Sequence, residues 1–219
     1  MMTPADLVSL VDVDNTLLDN DRVTADLRSF LDGEVGRRRA EQYFELFEEL
    51  RAELGYADYL GALQRYRSQR PYDSHVLSMS PYLIDYPFAE RLFPGALETL
   101  ARLRELGPVV IFSDGDAVFQ PRKVERSGLA EAVGGNILIY VHKEQELHDV
   151  ERRYPAQRYV LVDDKRRILA AVKEQWAERV TTVFVRQGHY ALDPGVESYP
   201  AADVTVERIG DVRPGVVPL

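Results

Sequence analysis

Short apolar stretches rich in β-branched residues alternate with longer amphipathic stretches along most of the chain. The apolar stretches predict buried strands, and the amphipathic stretches have the spacing of helices. Strands that alternate with helices are typical of a parallel sheet with right-handed crossovers. We therefore predict an α/β fold with a doubly wound parallel sheet. The five predicted strands span residues 7–10, 109–112, 137–141, 159–162 and 180–185.

The stretch between the first two predicted strands differs from the rest, because it has helical spacing and few strand signals. Its apolar side chains recur at three- and four-residue intervals, as on one face of a helix. Thr24 is a suitable N-cap for its first helix, and Gly55 is a suitable end for its second. The later helices are predicted over residues 36–54, 59–66 and 75–86. We therefore predict an all-helical insertion over residues 19–91.

The composition narrows the kinds of partner. The chain carries a net charge of −9, which argues against nucleic acid or an anionic membrane as the main partner. A small phosphorylated substrate remains compatible with this charge, because a bound cation can reverse the field in one pocket. Cysteine is absent, so disulfides and thiolate metal sites are excluded.

The sequence also bears on location. It shows no signal peptide and no apolar run of about 18 residues, the length that a membrane-spanning helix needs. We therefore expect a cytoplasmic protein without a membrane partner. A monomer and a homodimer are both compatible with the sequence.

Polar residues stand at the ends of four predicted strands. Asp12 and Asp14 follow the first strand, and alternate residues of an extended chain point the same way. Alone, this pair is equally compatible with a cation site and with an Asx-turn. Ser113 follows the second strand, Lys143 the third, and the pair Asp163–Asp164 the fourth. Since parallel strands bring these ends to one edge of the sheet, the set favours a ligand site there.

Each of these positions also has a structural alternative. Ser113 suits a turn, and the pair Asp163–Asp164 suits a helix N-cap. Lys143 suits the solvent-exposed first turn of the helix that follows it. Lys123 competes with Lys143 as the lysine of the site, but it lies within a helix and not at a strand end, so we favour Lys143. The polar loop 187–190 lies near the same edge and has no assigned role.

The ordered set resembles the motifs of the haloacid dehalogenase-type hydrolase superfamily, specifically its phosphatase-like members with a helical cap. Those motifs are an Asp-x-Asp-x-Thr run, a Ser or Thr after a strand, a Lys and an acidic pair. The residues that match them are Asp12, Asp14, Thr16, Ser113, Lys143, Asp163 and Asp164. The resemblance implies a Rossmann-like catalytic core of residues 1–18 and 92–219. The insertion 19–91 then corresponds to the cap, which the family places between its first two motifs.

The resemblance implies Mg²⁺-dependent hydrolysis of a small phosphomonoester through an aspartyl-phosphate intermediate. Asp12 is the expected nucleophile. Asp14 is the expected general acid for the leaving alcohol and then the base for the hydrolytic water. Ser113 and Lys143 complete the expected catalytic set, with Lys143 balancing charge at the nucleophile and the phosphate.

The resemblance also implies a ligand set for the ion and for the phosphate. Mg²⁺ prefers carboxylate and carbonyl oxygens together with phosphate and water. The expected metal ligands are Asp12, the backbone carbonyl of Asp14, Asp164 and, through a water molecule, Asp163. The expected phosphate-binding residues are Ser113, Asp114, Gly115 and Lys143, since glycine permits close approach of the backbone.

Other functions remain open at this point. A phosphomutase would share all these residues. A haloacid dehalogenase would use Asp12 against a carbon–halogen bond and would not need Asp14. A receiver-type signalling domain also surrounds Mg²⁺ with such groups, but in the reverse order along the chain. A non-catalytic module that binds phosphorylated ligands would be expected to lack an acidic or lysine position, and none is missing.

Overall fold

The computed structural model describes residues 4–218. Its strands are β1 (Ala5–Val11), β2 (Val109–Asp114), β3 (Ile137–Tyr140), β4 (Ala156–Asp163), β5 (Val180–Val185) and β6 (Val204–Val206). They form one parallel sheet in the order β3-β2-β1-β4-β5-β6, which puts β1 between β2 and β4. The predicted α/β fold is confirmed. Strand β6 was not predicted, because three residues are too short to show a pattern.

The described residues also form α-helices. They are α1 (Asn20–Glu34), α2 (Arg37–Leu54), α3 (Tyr59–Gln69), α4 (Met79–Asp85), α5 (Ala96–Arg104), α6 (Phe119–Arg126), α7 (Leu129–Ala132), α8 (Leu147–Arg153), α9 (Arg166–Trp176) and α10 (Gly188–Leu192). The one-turn helices α7 and α10 were not predicted. None of the helices in the described part of the chain is long and apolar enough to cross a membrane.

Helix α1 begins earlier than predicted. Thr24 is not its N-cap but lies inside the helix, where its hydroxyl donates to the carbonyl of Asn20. The N-cap is Asp19, whose carboxylate accepts from the Arg22 amide at 2.9 Å. Asn15 adds a second acceptor, since its Oδ1 accepts from the amides of the first two residues of the helix. The unpaired amides of a first turn are therefore satisfied at the earlier start.

The strands of the sheet place alternate side chains in two hydrophobic clusters, one on each face. In β1, Leu7 and Val11 belong to one cluster, whereas Val8 and Leu10 belong to the other. The first cluster includes apolar side chains of α1 to α7, and the second includes those of α8 to α10. Burial on both faces explains why these strands are continuously apolar in the sequence.

The chain leaves the sheet after β1 and returns before α5 through two segments that lie side by side. Leu18 and Leu92 form an antiparallel bridge. The Asp19 amide donates to the carbonyl of Arg91 at 2.8 Å, and the Phe93 amide donates to the carbonyl of Leu17 at 2.9 Å. Both ends of the helical stretch between them are thus anchored close to the end of β1.

Candidate active site

Strand β1 ends at the middle of the sheet edge and delivers Asp12 into the interior. The Asp12 amide donates to the carbonyl of Val162 in β4 at 3.0 Å, so the backbone remains extended up to this residue. The chain then turns tightly, and the amides of Leu17 and Leu18 donate to the carbonyl of Val13. Asp12 is buried at this point, whereas the Asp14 side chain keeps a quarter of its surface exposed.

Asp12, Asp163 and Asp164 form a buried acidic cluster. One carboxylate oxygen from each lies within 4.8 Å of the others. Asp163 ends β4, the neighbour of β1, so the parallel pairing of these strands brings together residues distant in sequence. The structure therefore unites the first and fourth predicted motifs.

Lys143 supplies the positive charge inside this cluster. Its Nζ lies 2.6 Å from Asp12 Oδ1, 2.7 Å from Asp163 Oδ2 and 3.0 Å from the carbonyl oxygen of Phe112. Burial by itself lowers the pKa of the Lys143 ammonium, but Asp12 and Asp163 outweigh burial, and the pKa lies above its ordinary value. Lys143 is therefore charged, and it contacts Asp12. Sequence analysis favoured Lys143 over Lys123 as the lysine of the site.

The acidic cluster has the donor set of a hard divalent cation. Asp12 Oδ2 and both carboxylate oxygens of Asp164 are buried and have no hydrogen-bond partner among residues 4–218. Burial raises the pKa of Asp164 well above its ordinary value, since the charged form is removed from water. Free, buried carboxylate oxygens are ligands of the kind that Mg²⁺ takes, and they fit that ion.

Asp163 differs from Asp164 because its two oxygens already face cations or donors. Asp163 Oδ1 accepts from the Lys165 amide at 2.8 Å, and Oδ2 lies beside the Lys143 ammonium. This arrangement leaves Asp164 the freer of the two, in line with its expected direct contact to the ion. Lys165 itself lines the cavity described below and was not identified from the sequence, although it directly follows the acidic pair.

The polar groups at the end of β2 form hydrogen bonds with other residues of the chain. Ser113 is buried, and its Oγ accepts from Gln120 Nε2 at 2.9 Å. The Asp114 carboxylate accepts from the Lys143 amide at 2.8 Å, and the Gly115 amide donates to the carbonyl of Tyr140 at 2.9 Å. The Asp114 side chain therefore orders the loop that carries Lys143. The expected phosphate contacts of these residues stay a prediction.

Asp14 contacts a lysine of its own. Lys123 Nζ lies 2.6 Å from Asp14 Oδ1 and 2.9 Å from Asn20 Oδ1, and the Lys123 side chain is 1% exposed. Sequence analysis considered Lys123 only as a substitute for Lys143. Both lysines are in fact buried at this edge of the sheet, each against a different aspartate of the first motif.

A cavity of about 260 Å³ lies above these residues, between the sheet edge and the helical stretch 19–91. Asp14, Asp114 and Lys123 contribute to it from the sheet side, and Arg51 and Tyr56 contribute from the helical side. The tyrosines of this stretch divide between its hydrophobic interior and the cavity. Tyr43, Tyr59 and Tyr66 are buried, but Tyr56 and Tyr59 also line the cavity.

The loop 187–190 closes one side of the first motif. Gln187 Nε2 donates to the carbonyl of Thr16 at 3.2 Å, and the His189 amide donates to Asp21 Oδ2 at 2.8 Å. Gly188 has a φ of +70°, and a Cβ there would lie 2.4 Å from the Asn15 Cβ. The glycine thus permits both the backbone conformation and the close approach to the residue after Asp14.

The sequence of the chain matches a known protein family. A model described as "haloacid dehalogenase-like hydrolase" matches residues 8–165, which include all four predicted motifs. The chain belongs to the haloacid dehalogenase-like hydrolase family. It is therefore a hydrolase. No curated protein sequence matches it.

Solved structures agree with membership in the haloacid dehalogenase-like family. A haloacid dehalogenase-like hydrolase from Burkholderia xenovorans LB400 is 62% identical with a TM-score of 0.92, and the match covers 95% of this chain and 97% of that one. The L-2-haloacid dehalogenase of Xanthobacter autotrophicus is 18% identical with a TM-score of 0.63, covering 93% and 95% of the two chains. The HAD hydrolase YfnB of Bacillus subtilis, whose structure is described as bound to magnesium, is 16% identical with a TM-score of 0.59, covering 94% and 96%. The last two similarities concern the fold.

Proposed function

We propose that this hydrolase cleaves a small phosphomonoester in a Mg²⁺-dependent reaction through an aspartyl-phosphate on Asp12. The observation that carries the proposal is the different surroundings of the two aspartates that follow β1. Asp12 is buried beside Lys143 and the unpartnered oxygens of Asp164, whereas Asp14 faces the cavity. This difference supports nucleophilic attack by Asp12 beside a cation site and proton transfer by Asp14 to a bound molecule.

The first half of the reaction transfers the phosphoryl group to the protein. An oxygen of Asp12 forms a bond to phosphorus while the bond from phosphorus to the leaving oxygen breaks, and Asp14 donates a proton to that oxygen. Lys143 reduces the repulsion between the Asp12 carboxylate and the phosphate, because its ammonium lies 2.6 Å from Oδ1. When bound, Mg²⁺ would be held by Asp12, Asp164 and the Asp14 carbonyl, and it would neutralise charge on the phosphoryl oxygens.

The second half of the reaction releases phosphate. Asp14, now ionised, accepts a proton from a water molecule whose oxygen attacks phosphorus. The bond from phosphorus to Asp12 breaks, and both aspartates return to their starting states. The same Asp14 therefore serves as acid and then as base, which requires it to reach the cavity.

The presence of Asp14 favours phosphoryl chemistry over dehalogenation. A halide leaves carbon as a stable anion and needs no proton, so a dehalogenase needs no general acid at this position. An alkoxide leaving group needs a proton, because it is a strong base. The cavity of about 260 Å³ suits a small leaving group, and we propose that the helical stretch 19–91 acts as the cap that selects it.

The proposal is tested by a panel of phosphorylated metabolites, and by 2-haloacids, each incubated with the purified protein. We expect phosphate release that requires Mg²⁺ and stops on chelation, and no halide release. Asp12→Asn is expected to lower turnover at least about 10³-fold, since the nucleophile is lost. Halide release without phosphate release would instead assign dehalogenation, and no release from either panel would contradict both.

A further inference from the structure

Helix α6 carries two buried polar side chains one turn apart, and both point to the candidate site. Gln120 donates to the Ser113 hydroxyl, and Lys123 contacts Asp14 and Asn20. Gln120 is 2% exposed and Lys123 is 1% exposed. Ser113 is an expected phosphate-binding residue and Asp14 is the proposed proton donor, but the proposed reaction gives no role to the two side chains of α6 that contact them.

Lys123 is buried, so the stability of its ammonium group depends on the polar groups around it. Burying an ammonium is unfavourable unless it is paired and hydrogen-bonded. Its partners among the described residues are Asp14 Oδ1 at 2.6 Å and Asn20 Oδ1 at 2.9 Å, and its Nζ also lies 5.0 Å from the centroid of the Phe119 ring. Asn20 is the first residue of α1, so one side chain joins α6, the first motif and the start of the proposed cap.

The contact with Lys123 fixes one of the two oxygens of Asp14. In the described part of the chain no hydrogen bond is made by the other oxygen, Oδ2, and Asp14 lines the cavity. A carboxylate bound through one oxygen cannot rotate freely about its side-chain bonds. Oδ2 is therefore left in a defined position for the molecule that occupies the cavity.

We propose that Lys123 is a positioning residue that holds Asp14 in the orientation needed to donate a proton to the leaving group. This inference rests on the proposed phosphomonoester hydrolysis. Asn20 accepts a second hydrogen bond from the same ammonium, so the orientation of Asp14 depends on the placement of α1. Lys143 serves Asp12 in the attack on phosphorus, and Lys123 serves Asp14 in the departure of the leaving group.

The test compares two substrates that differ in their need for a proton. An alkyl phosphate needs proton donation to its leaving oxygen, whereas the para-nitrophenolate of para-nitrophenyl phosphate is a weak base and leaves without it. Because kcat/KM covers the steps up to departure of the leaving group, it isolates this effect. We expect Lys123→Met to lower kcat/KM about 100-fold or more for the alkyl phosphate, the scale of a lost general acid. For the aryl phosphate we expect a loss of about threefold.

A double variant separates positioning from a general structural effect. If Lys123 acts through Asp14, then Lys123→Met has no further effect on kcat/KM for the alkyl phosphate when Asp14→Asn is already present. An independent structural role would instead multiply the two losses. Lys173→Met is the matched control, because Lys173 also pairs with an aspartate, Asp203, at 2.9 Å but does not line the cavity.

Asn20→Ala removes the second contact of Lys123 and leaves the ion pair of Lys123 with Asp14 in place, so no charged side chain loses its partner. It is expected to lower kcat/KM for the alkyl phosphate more than for the aryl phosphate, and it serves if Lys123→Met does not fold. Equal losses on both substrates, or multiplied losses in the double variant, would overturn the proposal for Lys123. Absence of phosphatase activity in the unmodified protein would instead contradict the proposed function itself.

Discussion

Asp164 shows the strongest conflict between burial and chemistry, because both of its oxygens are buried without a hydrogen-bond partner among residues 4–218. Asp12 has one such oxygen, Asp163 is partly compensated by Lys143, and the Lys165 ammonium offsets only part of the effect of burial on Asp164. Uncompensated buried charge destabilises a protein unless a cation offsets it. The residues that would hold the ion thus lower the stability of the fold when no ion is bound.

Asp164→Asn should therefore have opposite effects with and without the metal. We expect the melting temperature of the metal-free protein to rise by about 2–4 °C, the shift that corresponds to about 1 kcal/mol in a domain of this size. We also expect Mg²⁺ to raise the melting temperature of the unmodified protein but not that of the variant. Thermal unfolding followed by circular dichroism, with Mg²⁺ and with a chelator, measures both. An equal response to Mg²⁺ in the two proteins would exclude Asp164 as a ligand.

Among the elements, the helices of the stretch 19–91 are joined to one another by ion pairs as well as by hydrophobic contacts. Asp73, which follows α3, accepts from Arg39 Nε in the first turn of α2 at 2.7 Å and from the Tyr66 hydroxyl at 3.1 Å. The Arg39 contact is the main reason that the pKa of the Asp73 carboxyl is lowered to about 2, and Tyr66 adds to it. This carboxylate thus fastens the end of α3 to the beginning of α2.

The lowered pKa of Asp73 predicts a loss of stability in acid. A carboxyl group with a pKa below its unfolded value of 3.8 stabilises the fold above that pH, and the contribution is lost as pH falls towards about 2. Asp73→Asn should lower the free energy of unfolding at neutral pH and weaken its dependence on pH between these values. Denaturant unfolding at a series of pH values checks this. Parallel curves for the variant and the unmodified protein would contradict it.

The elements also show how far local pattern determines structure. Strand β5 has the predicted bounds, because a run of β-branched residues between polar ends leaves little choice. The start of α1 was misplaced, because Thr24 is a good cap by type, but Asp19 and Asn15 supply acceptors five and nine residues before it. Capping by Asn15 depends on the tight turn after β1, which propensity alone does not specify.

At the scale of the whole molecule, the topology of the sheet explains why much of the site was predictable. The carboxyl ends of parallel strands meet at one edge, so residues that follow β1, β2, β3 and β4 were expected together. The structure brings Asp12, Lys143, Asp163 and Asp164 into one cluster. The strand ends could be identified from the sequence because each is a short polar stretch after an apolar one.

The remaining parts of the site depend on how helices lie over the sheet. The contact between Lys123 and Asp14 joins residues 109 positions apart, and it forms because α6 turns one face to the end of β1. Arg51 and Tyr56 reach the cavity only through the packing of the stretch 19–91 against the sheet edge. Neither spacing nor residue type contains that information.

The central claim, that Asp12 is phosphorylated during turnover, is tested most directly by trapping the intermediate. The protein is mixed with para-nitrophenyl phosphate and Mg²⁺, quenched in acid, digested, and examined by mass spectrometry. We predict one phosphoryl group on Asp12, with more of it in Asp14→Asn, where the base that activates water is lost. Phosphate release from the unmodified protein with no phosphoryl group on Asp12, or with one on another residue, would contradict the account.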